Sequence, residues 1–151
     1  VQEALRLLSG LLQDKGFDEA EVSTLVSLAA YTRFKAGSVI VHAGMVWPWV
    51  MTVLQGNIWL ERWQVEAEEG AQIGATEFLE RPAIVSPAPG MVARSDGLLA
   101  GFSYMALDKV MRENGILGHK LLLLLGNFAL ALCSASASTI GDRAYDLRPS
   151  Q

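Results

Sequence analysis

The sequence is short of the residues that most enzymes and metal sites are built from. Its 151 residues hold one cysteine, Cys133, and two histidines, His42 and His119. A single thiol excludes an intrachain disulfide and leaves a structural zinc site without thiolate ligands. It also fits a reducing compartment, so a cytoplasmic location is expected. Basic charge is scarce too: 12 Lys and Arg stand against 16 Asp and Glu, a net charge of −4. A nucleic-acid binder needs a basic stripe to displace counterions, yet the densest charge run, Glu66-Ala67-Glu68-Glu69, is acidic. No nucleic-acid partner is expected. No Gly-x-Ser-x-Gly, P-loop or metal motif occurs, no His/Glu cluster is present, and neither a cofactor, a metal nor an enzymatic activity is expected.

Long hydrophobic runs are also missing, with one exception. Leu121 to Cys133 is strongly apolar but falls short of the roughly 20 residues that span a bilayer, and His119-Lys120 and Ser134 bound it. A buried helix is expected there, not a transmembrane segment. Val1 to Ala30 mixes acids and bases with its leucines and does not read as a signal peptide. The absence of an initiator Met suggests a fragment or a processed end.

What is present is ample core material, 51% hydrophobic residues. Ala4, Leu5, Leu7, Leu8, Leu11 and Leu12 have helical spacing. A second helix is predicted from Asp18, where Glu21 completes a capping box, with Val22, Leu25, Val26 and Ala29 on one face and an end near Ala30. From Phe34 the pattern changes to short apolar runs punctuated by glycine. Strands are predicted over Ser38–His42, Trp49–Leu54 and Asn57–Trp63, and again at Met91–Ala93 and Leu98–Phe102. Alternation along the third places Trp59 and Trp63 on one face. Residues 66–89 are proline- and glycine-rich and read as loop, with a helical turn around Thr76–Glu80. At Ser103, a capping residue, the helical period returns. Asn114-Gly115 breaks that helix, and a last one runs from about Ile116 to Ser134. Residues 136–151 read as a polar tail. The fold class is therefore α+β: an antiparallel β-roll or jelly roll flanked by N-terminal and C-terminal helices, one domain over residues 1–135.

The segment order resembles the cyclic-nucleotide-binding domain family of bacterial catabolite regulators, protein kinase A regulatory subunits and gated channels. The resemblance starts at Phe34-Lys35-Ala36-Gly37-Ser38-Val39-Ile40-Val41-His42-Ala43-Gly44 and continues through Val50–Gly56, Glu69-Gly70-Ala71-Gln72-Ile73-Gly74 and Ala93–Met111, covering roughly residues 5–135. It implies a phosphate-binding cassette, in which a short helix presents its amides, an Arg pairs with the phosphate and a Glu accepts from the ribose hydroxyl. Gly74 fits the cassette's Gly. Ala75 stands at the Glu position, and Pro87 or Ala88 at the Arg position. Charge-assisted hydrogen bonds contribute about 1.5–3 kcal/mol each, so losing both predicts that ordinary cyclic-nucleotide binding is gone.

A second register is open. Arg81-Pro82-Ala83-Ile84-Val85 reads as the family's Arg-x-Ala-x-Val, with Glu77 nearby, and would make a rearranged pocket. The candidate ligand residues are therefore Gly74, Ala75, Thr76, Glu77, Phe78, Arg81 and Ala88. Two functions follow: a regulatory or scaffolding domain acting through protein contacts, or a sensor of a cyclic mono- or dinucleotide through the rearranged pocket. A catabolite-regulator-type transcription factor is disfavoured, since no helix-turn-helix follows the last helix. Two contact surfaces are expected. The last helix is apolar all round, and the family commonly dimerises along its equivalent, so a homodimer through Leu121, Leu124, Leu125, Phe128 and Leu132 is predicted, with Asn127 setting register. Trp59 and Trp63 are the candidates for a Trp-rich protein-partner surface.

Overall fold

The computed structural model describes residues 2–44, 47–81, 90–135 and 139–140. Two helices open the chain, α1 (Gln2–Asp14) and α2 (Glu19–Leu28). Ala4, Leu8 and Leu12, four apart, are the buried stripe of α1. The capping box of α2 forms in full: Glu21 N–H donates to the Asp18 carboxylate, and Asp18 N–H donates to the Glu21 carboxylate, both at 2.8 Å. The helix stops two residues before the predicted end. Ala29 is already extended, and Ala30 opens β1 (Ala30–Phe34). Sequence reading missed β1 because Thr32 and Arg33 are exposed on it and give it no apolar alternation.

Among the described residues, nine strands form two sheets. The first has the order β1-β8-β3-β6, where β3 is Trp49–Gln55, β6 Gln72–Ile73 and β8 Gly97–Ser103; the second has the order β2-β7-β4-β5-β9, where β2 is Val39–Val41, β4 Ile58–Leu60, β5 Val65–Ala67, β7 Met91–Ala93 and β9 Thr139–Ile140. All pairings are antiparallel except that of β9 with β5. The expected α+β β-roll with flanking helices is the observed architecture. Two residues of the segment read as a tail, Thr139 and Ile140, pair as β9 with Glu66 and Ala67.

The sheets differ in burial. In the second, one face is buried and the other is not: Ile58 and Leu60, Val65 and Ala67, Met91 and Ala93 point inward, while Trp59, Glu66 and Val92 between them are half-buried. In the first, β3 and β8 are buried on both faces. One face meets the inside of the roll. The other, with Val50, Thr52, Phe102 and Gln72, lies under the helices and meets Leu12, Leu25, Leu107, Leu121 and Leu125. Thr52 Oγ1 donates to Gln72 Oε1 at 2.7 Å, which satisfies the two polar side chains in this apolar layer.

The third predicted strand is shorter than expected. It ends at Leu60, and residues 61–64 turn, with Gln64 at φ 54. Trp63 therefore sits in the turn and packs on the core, and does not share a strand face with Trp59. The turn also explains β5, which the sequence hides in a stretch dense with acids and glycine.

The helices α4 (Tyr104–Glu113) and α5 (Gly115–Ser134) follow the roll. Ser103 caps α4 by accepting from Ala106 N–H, and Asn114 caps α5 by accepting from Leu117 N–H. The 20 residues of α5 are, by length and composition, enough to cross a membrane. Leu117, Leu121, Leu124, Leu125, Phe128 and Leu132 are its buried face. Five of these are the residues expected at a dimer interface. They lie in the core of their own protomer instead, because the first sheet has an apolar outer face that needs covering. Cys133, expected in the core, is exposed.

Candidate functional site

The cassette-like segment starts where β6 ends. Gly74 has φ 93, and a Cβ there would come within 2.6 Å of the Trp49 carbonyl oxygen and 3.3 Å of the Trp47 ring. Only glycine fits this turn, which launches α3 (Ala75–Leu79) without a side-chain cap. Ala75, Thr76 and Phe78 are buried. Thr76 Oγ1 is buried with no hydrogen-bond partner among the described residues.

The two charged candidate residues, Glu77 and Arg81, are already paired, and with different elements. Glu77 accepts from Arg62 Nη1, in the turn between β4 and β5, at 3.0 Å. Arg81 binds α4: its Nη1 and Nη2 donate to the two Asp108 oxygens at 3.1 and 2.9 Å, and its Nε donates to the Phe78 carbonyl at 3.1 Å. The guanidinium also lies over the rings of Phe78 and Tyr104, at 4.1 and 4.7 Å from their centroids. The two rings meet edge-on at 5.1 Å. The rearranged pocket needs Arg81 and Glu77 to converge on one ligand, and here they hold separate partners. Pro87, Ala88 and the rest of 82–89 lie outside the described residues, so the Arg position of the first register carries no geometry.

The sequence did not point to Asp108, Tyr104 or Arg62. Each is an ordinary polar position on a helix or turn, and only the fold brings them to α3. Their electrostatics follow from that contact. Hydrogen bonds from Arg81 hold the Asp108 carboxyl below the usual carboxylate range, and the same bonds raise the Arg81 guanidinium. Burial first, then the Glu77 charge, raises the Tyr104 phenol. For Asp108 the folded state favours the ionised form. Its contribution to stability is complete above about pH 4, where a free Asp titrates, and is lost as pH falls through the lowered value. The pair is partly exposed, 33% and 43% on the two side chains, so the effect is modest. Thermal melts from pH 5 to pH 2 should show a steeper fall of the midpoint in the parent than in Asp108→Asn.

The inside of the roll carries no charge among the described residues. Val53, Ile58, Leu60, Val65, Ala67, Ile73, Met91, Ala93 and Leu99 are all 2% exposed or less. A cyclic nucleotide brings a phosphate charge, which is costly to bury unpaired.

No family model matches the sequence, and no curated protein does. Solved structures do resemble it. A cyclic nucleotide-binding domain from Methylobacillus flagellatus superposes with a TM-score of 0.73 over 85% of this chain and 78% of that one, at 17% identity. The fold is that of the cyclic-nucleotide-binding domains. The c-di-GMP responsive global regulator CLP of Xanthomonas campestris matches over 77% of this chain at a TM-score of 0.66 and 13% identity, and the regulatory subunit of a cAMP-independent protein kinase A from Trypanosoma brucei over 85% at 0.64 and 18%. The matches cover 59% and 45% of those two longer chains.

Proposed function

We propose that this cyclic-nucleotide-binding-like domain is a non-catalytic, cytoplasmic regulatory or scaffolding module that has lost ordinary cyclic-nucleotide binding and acts through protein contacts. The observation that carries this reading is the pairing of both charged cassette side chains, Glu77 with Arg62 and Arg81 with Asp108. Two further observations support it: Ala75 stands at the Glu position in the first register read from the sequence, and the described residues inside the roll are apolar. The Trypanosoma brucei subunit of the same fold is the regulatory subunit of a cAMP-independent protein kinase A, so this architecture is compatible with such a role.

The outer face of α5 is the contact surface this reading favours. Ile116, His119, Leu123, Gly126, Leu130 and Cys133 recur at alternating steps of three and four, the seam of a two-stranded coiled coil. Ile116, Leu123 and Leu130 are 74%, 53% and 66% exposed. A second copy laid along this seam buries them. Asn127 stands beside the seam and lines, with Leu123, a groove that Lys15 and Phe17 also line. Trp59, on the outer face of β4 with Arg94 over its ring at 4.8 Å, is a second contact candidate, next to Val92 and the 48%-exposed Val39. Sedimentation of the intact chain at tens of micromolar tests the reading: a dimer is expected, and a clean monomer overturns the α5 seam.

A second reading, a sensor of a cyclic mono- or dinucleotide, draws on the unpartnered Thr76 hydroxyl in the first turn of α3 and on CLP, a c-di-GMP responsive protein of the same fold. It requires a ligand to displace Arg62 and Asp108 from the cassette.

A further inference from the structure

We infer that Arg81 is a built-in tie that sets the arrangement of α3, α4 and α5 without any bound small molecule. The inference rests on the reading of the domain as one that works without a nucleotide. Five residues make a helix too short to hold itself, so α3 keeps its position through what its side chains reach. At its start, Ala75, Thr76 and Phe78 are buried. From its middle, Glu77 binds Arg62 and the roll.

At its end, Arg81 performs three tasks at once. It donates to the Phe78 carbonyl in the last turn of α3, which the Arg81 backbone N–H also reaches at 3.4 Å. It closes a two-pronged bond on Asp108 of α4. Its flat guanidinium covers Phe78 of α3 and Tyr104 of α4 together. Only arginine combines the fork with the plane; lysine offers a point charge.

The tie reaches α5 through a rigid corner. Asn114 N–H donates to the Val110 carbonyl and ends α4, while the Asn114 side chain accepts from Leu117 N–H and begins α5. Val110, Leu117 and Leu121 are buried beside this corner. Through this corner Arg81 ties the start of α5 to α3, while the rest of α5 is held by its own buried face on the first sheet. Arg81 is a positioning residue for α3, α4 and the start of α5.

Hydrogen exchange on the full chain tests this, with α1 and α2 as the internal reference. In Arg81→Lys and in Asp108→Asn, amides of α3 and α4 should exchange up to about fivefold faster, the scale of a partly exposed two-pronged ion pair, while those of α1 and α2 stay as in the parent. The double variant should be no faster than either single one, since both remove the same bond. Unchanged exchange in α3 and α4, equal acceleration across α1 and α2, or additive single effects would each overturn the tie. Titration of the parent with cAMP separates this from the reading beneath it. Unchanged exchange without cAMP binding sinks the tie alone, whereas the expected exchange pattern with tight cAMP binding keeps the tie and sinks the ligand-free reading.

Discussion

Replacing Phe128 by alanine is expected to cost the domain about 3–5 kcal/mol, the usual penalty for emptying a fully buried aromatic site. The ring is 1% exposed, on the face of α5 that covers the first sheet. A domain of this size has about 5–15 kcal/mol in total, so urea unfolding should shift to much lower midpoints or start from a partly unfolded chain. The paired substitution Leu123→Asp with Leu130→Asp, on the same helix, should behave in the opposite way. Both side chains are more than half exposed, and surface changes of this kind usually stay within about 0.5 kcal/mol. The fold should survive while sedimentation shows only monomer, because the new carboxylates meet their own copies across the seam. Unfolding by this double variant would show that the outer stripe is covered within one protomer, and a surviving dimer would move the interface elsewhere.

Substituting Gly74 by valine is expected to be the next most damaging change. The backbone there is left-handed, and the added Cβ runs into the Trp49 carbonyl. The left-handed conformation costs a side-chain-bearing residue about 1–2 kcal/mol, and forced repacking adds about 1–3. The loss should appear in denaturant unfolding of the whole domain, because the clash is with β3, a central strand of the first sheet. Gly10→Ala makes the control. It lies inside α1 with nothing within 4 Å of the new Cβ, and should be neutral or stabilise by up to about 1 kcal/mol. Equal losses at the two positions would reject the explanation from backbone geometry.

These two positions also show what the sequence could and could not tell. Glycine punctuation and short apolar runs made the roll legible, and the capping residues Asp18 and Ser103 marked helix starts that the structure keeps, while Asn114, read only as a break, also caps α5. Strands β1 and β5 escaped because Thr32, Arg33 and Glu66 face outward and dilute the apolar signal. The last helix was recognised, but its buried side was not. Apolar residues surround α5, and the sequence carries no polar stripe to say which side faces the sheet. Expecting Leu124 and Phe128 on an outer face follows from that symmetry; the fold buries them and leaves Leu123 and Leu130 exposed.

At the cassette, the sequence offered two registers, one with Ala75 at the Glu position and one with Glu77 and Arg81. The fate of Arg81 was not legible, because its partner Asp108 lies 27 positions along the chain and only the fold of α4 against α3 brings them together. Local motif reading offered Arg81 a phosphate; packing gave it a carboxylate.

The central claim is that this domain keeps the cyclic-nucleotide-binding fold without the binding. Isothermal titration of the intact chain with cAMP, cGMP and cyclic di-GMP tests it most directly. The expected result is no saturable heat with any of the three up to millimolar ligand, in the parent and in Arg81→Ala alike. Micromolar or tighter binding of any one, abolished by Arg81→Ala, would contradict the claim and make Arg81 a phosphate ligand that leaves Asp108 when the nucleotide arrives.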